Sequence, residues 1–382
     1  MNIKFTLKKL GLFSVLMLCS LAATAASADF SVDGIYYKKT SDVTVEVTKP
    51  DGGTYSGNVT IPATVTYGGD EYDVLSIGSS AFMKSKDLTT VKLSEGLTTI
   101  GEDAFSGCSS LKSINIPSTV RRINSSAFYN CSSLTSVICK SKKPASCTSS
   151  VFPSYQQRLI IPIGSEEAYA TETEWEEFTN CSVFKTFDHA VATFADAEKI
   201  DLDNAYQVGD EKTFAAAATK DLKAYQFTGS AVNGTIYGTE VNGIVPAGTG
   251  LLMTGTEGAT YVFPLTSGYA TADVSGNKLV GVTTDTDLST LTDGNSHYVY
   301  DNDGFRLQST GTIAANEAYL SLPNADTDKI NVSLGGAAGI EDIAADNEDH
   351  GAWYTLDGVK VNEKPTAKGL YIHNGKKVIV NK

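Results

Sequence analysis

The side chains of this 382-residue chain that could carry chemistry are four histidines, five cysteines beyond residue 28, and a few clusters of carboxylates. A catalytic or metal site needs several of these at a spacing that one element can present. His189, His297, His350 and His373 stand apart, with no His-Glu-x-x-His and no second histidine within a helical turn. Cys139 and Cys147 are eight residues apart with no histidine near them, so zinc-ligand spacing is missing. Gly248-Thr249-Gly250 opens like a dinucleotide loop, but Met253 stands where the third glycine belongs, which leaves a tight turn between strands. Asp301-Asn302-Asp303-Gly304 begins like a calcium loop. Thr312 occupies the twelfth position, where a bidentate glutamate would stand, so a hairpin turn is the better reading. No Gly-x-Ser-x-Gly elbow occurs. Glu172, Glu174, Glu176 and Glu177 crowd one segment and read as the solvated face of a cap helix. The expectation is a chain that is not an enzyme, with no catalytic residue, no cofactor and no metal.

Binding is then the function class to test, and composition narrows it. The net charge of −14 becomes −17 without Lys4, Lys8 and Lys9, so a nucleic-acid partner is disfavoured. Those lysines, the apolar run Leu10 to Leu21 and Ala26-Ser27-Ala28 form a charged, an apolar and a small-x-small stretch, as in a signal peptide over 1–28. Leu18 before Cys19 disfavours a lipoprotein anchor, and no later run approaches the ~20 apolar residues of a transmembrane helix. The expected location is outside the cytoplasm: cell surface or extracellular, or the periplasm if no further sorting occurs. At this length two or three domains are expected.

What would position a binding surface is a repeat. Val74 to Gly96, Leu97 to Thr119 and Val120 to Lys142 align at a step of 23 residues. Ile77, Ile100 and Ile123 keep that step, as do Phe82, Phe105 and Phe128, and Leu88, Leu111 and Leu134. So do Val91, Ile114 and Val137, and Leu93, Ile116 and Cys139. Such a period means a solenoid, whose units bury their apolar faces only by stacking. In each unit Leu-x-x-Val-x-Leu supplies a strand with alternate residues inward, and Ala-Phe fills the opposite side. The strands should align into a parallel sheet with Thr90, Lys92, Ser113, Asn115, Ser136 and Ile138 on its outer face, the candidate partner-binding residues.

Ile100, Ala104, Phe105, Cys108, Leu111, Ile114, Ile116 and Pro117 follow in order the pattern of the BspA-like leucine-rich repeat family, the Treponema pallidum type, and the resemblance spans 29–187. Asp33 to Val47 and Gly57 to Gly78 resemble the family's amino-terminal lead-in, and Arg158 to Phe178 its closing turn. The family register places Cys108 and Cys131 in one column, at about the 5 Å strand spacing. That permits a disulfide, although two free buried thiols are favoured. A Cys139 to Cys147 bridge across the SKKPAS loop is the other candidate.

Past Phe187 the repeat stops. Ala224 to Gly229, Gly234 to Val241, Gly248 to Gly255, Ala259 to Leu265, Ser296 to Gln308 and Ala318 to Pro323 read as strands of an antiparallel β-sandwich or barrel over 190–334. This segment holds 18 acidic and 7 basic residues. It resembles a β-domain of secreted Bacteroidetes proteins. Residues 335–350 read as an acidic linker, and 351–382 as a small carboxy-terminal β-hairpin module with Asp357-Gly358 and Asn374-Gly375 as turns. Tyr354, Gly358, Val361, Gly369, Tyr371, Ile372, Gly375, Lys377, Val380 and Lys382 resemble the sorting domain of the type IX secretion pathway.

The fold class expected is therefore mainly β: a short leucine-rich-repeat solenoid, then a sandwich or barrel, then a hairpin module. The family resemblance implies adhesion to host extracellular proteins or other bacteria through the repeat sheet. Carbohydrate binding by Tyr225, Tyr237, Tyr261 and Tyr298 of the middle segment, or a structural role in a surface layer, are the alternatives.

Overall fold

The computed structural model describes residues 28–210, 214–217, 221–323, 325, 327–334, 353–355, 360–361, 365, 369–373 and 376–380. The expected signal peptide before Ala28, the linker 335–350, His350 and the turn dipeptides Asp357-Gly358 and Asn374-Gly375 lie outside the described residues. Among the described residues the protein is almost entirely β, with one α-helix, Glu166–Ala170, and one short 3-10 turn, Leu288–Thr290.

The 23-residue step becomes a pair of parallel ladders. At the back, Thr44–Thr48, Asp70–Ile77, Thr99–Ile100, Arg122–Ile123 and Ser146–Cys147 pair in that order. At the front, Gly57–Ile61 pairs with Leu88–Leu93, and Ser113–Ile116, Ser136–Cys139, Arg158–Pro162 and Cys181–Thr186 continue in parallel. Leu88–Leu93 lies against Ser113–Ile116 without a ladder between them. The solenoid is thus longer than the three clear repeats, because strands with irregular spacing extend it at both ends. All five apolar columns of the repeat lie inside, with Ile77, Ile100, Ile123, Phe82, Phe105 and Phe128 fully buried.

The phenylalanine column forms the spine. Tyr55, Phe82, Phe105, Phe128 and Phe152 stack in succession with ring centroids 4.4, 4.8, 5.3 and 5.5 Å apart. Backbone bonds beside the rings repeat with them: the Phe82, Phe105 and Phe128 amides donate to the Ala104, Ala127 and Val151 carbonyls of the next turn at 2.7, 2.7 and 2.9 Å. Each turn needs a left-handed residue two places before the ring, and Ser80, Asp103, Ser126 and Ser150 supply it with φ between 53° and 58°. Short polar side chains tolerate that region better than β-branched ones. Gly101 is required for space, since a Cβ there would lie 2.7 Å from the backbone of Gly78 and Ser79.

The five cysteines are free thiols. Cys108 and Cys131 donate to the Phe82 and Phe105 carbonyls at 3.2 and 3.1 Å, so this column caps the preceding turn. The Cys139 to Cys147 bridge is not formed. Glu174 is no surface carboxylate: it accepts from the Ser150 and Val151 amides at 2.9 and 3.0 Å and from the Tyr155 hydroxyl. Trp175 is buried beside it and donates from its indole N–H to the Ala145 carbonyl at 2.7 Å. The expected acidic cap helix is therefore a five-residue helix followed by a turn whose glutamate and tryptophan close the back of the solenoid.

The front does not end at the closing turn. Cys181–Thr186 takes an antiparallel partner, Thr260–Pro264, which in turn pairs with Tyr206–Asp210 and through it with Ala215–Ala216. Strands of the middle segment thereby extend the repeat sheet. The rest of that segment builds a curled nine-stranded sheet around Phe227, Tyr298, Phe305, Leu320 and Ile330. Its pairings are antiparallel except Thr235–Val241 with Lys329–Leu334. Trp353–Tyr354, Lys360–Val361, Gly369–His373 and Lys376–Val380 form a separate four-stranded sheet.

Where solenoid and middle segment meet, Asn316 reaches Gly164, which has φ +75° and no room for a Cβ. Nearby, Asp196 is 3% exposed, its Oδ1 accepts from the Glu198 amide at 2.8 Å, and its Oδ2 has no partner. Burial, with the Glu166 and Glu198 carboxylates adding to it, pushes Asp196 up to about 7. Because the folded chain holds this proton more tightly than the unfolded one, unfolding releases it between about pH 4 and pH 7, and stability falls as pH rises through that window. Asp196→Asn should flatten this slope, worth of order 2–4 kcal/mol, in denaturant titrations at pH 4.5 and pH 7.5. A slope unchanged by the substitution would place the proton elsewhere. For the spine, Phe105→Ala should cost about 3–5 kcal/mol and lower the thermal midpoint, read by circular dichroism. Phe105→Leu should cost visibly less.

Candidate functional site

The front sheet presents a polar face because every second side chain of Leu-x-x-Val-x-Leu points out. Strand register aligns the outward residues in rows. One row runs Asn58, Thr90, then Ser113, Ser136 and Arg158; the next runs Thr60, Lys92, then Asn115, Ile138, Ile160 and Ser182. Thr90, Ser113, Asn115 and Ser136 are half-buried and Lys92 is exposed, and the Thr90 hydroxyl bonds Asn58 Oδ1 at 2.7 Å.

Ile138 does not belong to this open face. It is fully buried, in a cluster with Ile160, Val262 and Phe214 that Phe184, Tyr206 and Val208 border. The middle-segment strands curl over the carboxyl half of the front sheet and cover it. Five of the six candidate residues therefore share a partly exposed polar surface outside the cover, and the sixth anchors that cover. Along this row Lys92 and Asn115 give way to Ile138 and Ile160, a change from polar to apolar side chains in one column. Arg158 sits at the boundary, where burial pushes the Tyr206 phenol up and the positive charge of Arg158 opposes that rise.

A cleft of about 380 Å³ opens where the polar face meets the cover, lined by Glu95, Ser118, Lys140, Phe184, Thr186, Val208, Phe214, Gly258 and Thr260. Its floor is apolar, with Phe184 edge-on to Phe214 at 5.5 Å. Its rim is polar. Glu95 accepts from the Ser118 hydroxyl at 2.8 Å and from the Ser118 and Thr119 amides at 3.1 and 3.2 Å. Burial opposes ionisation of Glu95, but these donors, with Lys140, hold its carboxyl below the usual range. Sequence reasoning missed the cleft, because Thr186, Val208 and Thr260 meet the repeat only through long-range strand pairing.

The remaining chemistry-bearing residues have structural settings. His297 is 7% exposed, bonded to Asp293 at 2.9 Å and edge-on to Tyr319. Asp301-Asn302-Asp303-Gly304 joins two strands, with Asp301 and Asp303 paired to Arg306 and Lys329. Among the described residues, no three His, Cys, Asp or Glu side chains come together as a metal site would require. The tyrosines named for sugar stacking are occupied in the fold: Tyr225, Tyr261 and Tyr298 are buried and Tyr237 is half-buried. Carbohydrate binding through those rings is therefore corrected, because stacking on a sugar needs an open ring face.

Residues 75–194 match the BspA type leucine-rich repeat region, in six copies. Among solved structures, a leucine-rich repeat protein from Bacteroides capillosus ATCC 29799 is 27% identical over 35% of this chain and 96% of its own, with a TM-score of 0.30. A leucine rich cell surface protein from Faecalibacterium prausnitzii A2-165 is 26% identical over 38% of this chain and 47% of its own, with a TM-score of 0.29. The T. pallidum leucine-rich repeat protein is 26% identical over 34% of this chain and 51% of its own, with a TM-score of 0.24. No curated protein matches the chain. Among the described residues, no helix is long and apolar enough to cross a membrane.

Proposed function

We propose that this is a non-catalytic protein of the cell surface that binds a polypeptide partner, a host matrix protein or a bacterial surface protein, through the open half of its front sheet. The supporting observation is the division of that sheet. The outward rows are polar at Asn58, Thr90, Lys92, Ser113, Asn115 and Ser136, with Asn58 and Lys92 exposed and the other four half-buried, and one row turns apolar and covered at Ile138 and Ile160. A partner lying on the polar rows meets the cleft at their end, where an apolar side chain fits between Phe184, Val208 and Phe214. Flat polar contact around one desolvated anchor is how protein interfaces concentrate their affinity. The open half is small, so a standard interface of ~800 Å² per partner would use most of it. BspA-type repeats support binding of this class.

Export is the other half of the reading. The amino-terminal pattern of Lys4, Lys8 and Lys9, the apolar run and Ala26-Ser27-Ala28 supports passage of the inner membrane. Of the residues that resemble the type IX sorting motif, Tyr354, Val361, Gly369, Tyr371, Ile372, Lys377 and Val380 lie in the four-stranded sheet at the carboxyl end.

The binding reading is tested with the chain from Asp29 to Lys382, since a fragment ending at Phe187 would strip the cover from Ile138 and Ile160. Binding to immobilised matrix proteins and to bacterial cells should be saturable. The double variant Lys92→Glu, Ser113→Arg should weaken it at least tenfold, and Tyr269→Ala, at a ring 94% exposed in the middle segment, should leave it unchanged. Equal binding by wild type and double variant would sink the front face. For the tail, deleting Gly351 to Lys382 should leave the protein inside the outer membrane, read by its resistance to protease added to intact cells. Unchanged cleavage would remove the sorting role.

A further inference from the structure

The four ends of the two ladders are finished differently. At the back, Thr44–Thr48 is paired by Ile35–Lys39 and that by Phe30–Val32, and the far end lies beside Trp175. At the front, Cys181–Thr186 is paired by Thr260–Pro264. The remaining end, strand Gly57–Ile61, pairs only with Leu88–Leu93 among the described residues. Beside it runs a groove of about 960 Å³. The half-buried side chains of Val32, Tyr36 and Val59 give the groove an apolar wall, and Asp33 and Asp51 are the only charges along it.

An exposed strand edge is a template for another strand, and proteins usually blunt it with lysine, proline or a bulge. Here Pro62 follows the strand and the register is irregular between Gly57 and Asn58, but the strand itself, Gly-Asn-Val-Thr-Ile, carries no charge. Those features limit its length and leave its lateral edge open. We propose that this edge takes up an extended basic segment of a partner polypeptide as an added strand. Main-chain hydrogen bonds along the edge supply affinity, and alternate side chains resting on Val32, Tyr36 and Val59 supply selectivity. Lysine or arginine flanks reach Asp33 and Asp51, whose charge repels an acidic segment. Five residues at ~3.3 Å each span the strand, so the segment is short. The proposal rests on the edge and its groove, so it stands or falls separately from the front face.

The test uses the chain from Asp29 to Lys382 and the capped peptide Lys-Val-Thr-Val-Thr-Val-Lys. One twin has alternate amides N-methylated and a second has Glu in place of Lys. The parent peptide should bind saturably and slow hydrogen exchange at residues 57–61. Both twins should bind at least tenfold more weakly. Asp33→Asn with Asp51→Asn should abolish the preference for Lys over Glu, and Tyr36→Ala, with its thermal transition checked, should weaken binding of the parent. No saturable binding, equal binding of the N-methylated twin, or binding without protection at 57–61 would overturn the proposal. Concentration-dependent dimerisation that protects the same amides without peptide would assign the edge to a second copy and overturn it equally.

Discussion

Everything in the repeat segment depends on one constraint: each turn must set its aromatic ring on the ring of the turn before while its backbone bonds that turn's backbone. Ring spacings of 4.4 to 5.5 Å from Tyr55 to Phe152 bracket the spacing of hydrogen-bonded strands, so stacking and hydrogen bonding do not compete. From Phe82 to Phe128 each turn adds 23 residues, which keeps ring and strand in step. The step lengthens at both ends, to 27 from Tyr55 to Phe82 and to 24 from Phe128 to Phe152 next to the closing turn with Glu174 and Trp175, and both outer rings still stack. The thiol column follows from the same geometry. Cys108 and Cys131 each find a carbonyl one turn back, so a disulfide between them would have to give up both bonds.

The solenoid leaves its front sheet with two kinds of outward residue, and that difference decides where a partner can go. Asn115, Ile138 and Ile160 are in register on adjacent strands, and from Ile138 onward the row is roofed by residues up to Phe214 and Val262. The apolar stretch recruits the middle segment, and the polar stretch lies outside that cover. The same pairing that covers Ile138 brings Thr186, Val208 and Thr260 beside Glu95 and Lys140 to form the cleft. A surface that on sequence alone is a uniform sheet is in the structure a polar strip with a closed end.

What the sequence made legible was whatever local spacing determines. The five columns of the repeat needed only a 23-residue offset to be seen, and they are the core. The turn reading of Asp301 to Gly304 was equally local. Burial of Tyr225, Tyr261 and Tyr298 was not legible, because an alternating strand does not say which of its faces another sheet will cover. Ile138 is the instructive residue. Its type argued for burial while its register argued for exposure, and no local rule ranks the two until a strand 120 residues later supplies the cover. The free thiols of Cys139 and Cys147 belong to the same class, since eight residues of separation allow a bridge without requiring one.

Charge follows this division. The middle segment, with 18 acidic against 7 basic residues, holds most of the negative charge, whereas the open rows and cleft rim carry Lys92, Lys140 and Arg158 against Glu95. At physiological salt a field decays over about 8 Å, so a partner on the polar strip responds to these few groups more than to the net charge of −14. At the opposite end of the same sheet Asp33 and Asp51 give the edge groove the reverse sign. One polypeptide lying on both surfaces would need acidic residues against the strip and basic residues against the edge, in an order fixed by the direction of the strands. The sheet therefore imposes polarity as well as sign on whatever binds along its length.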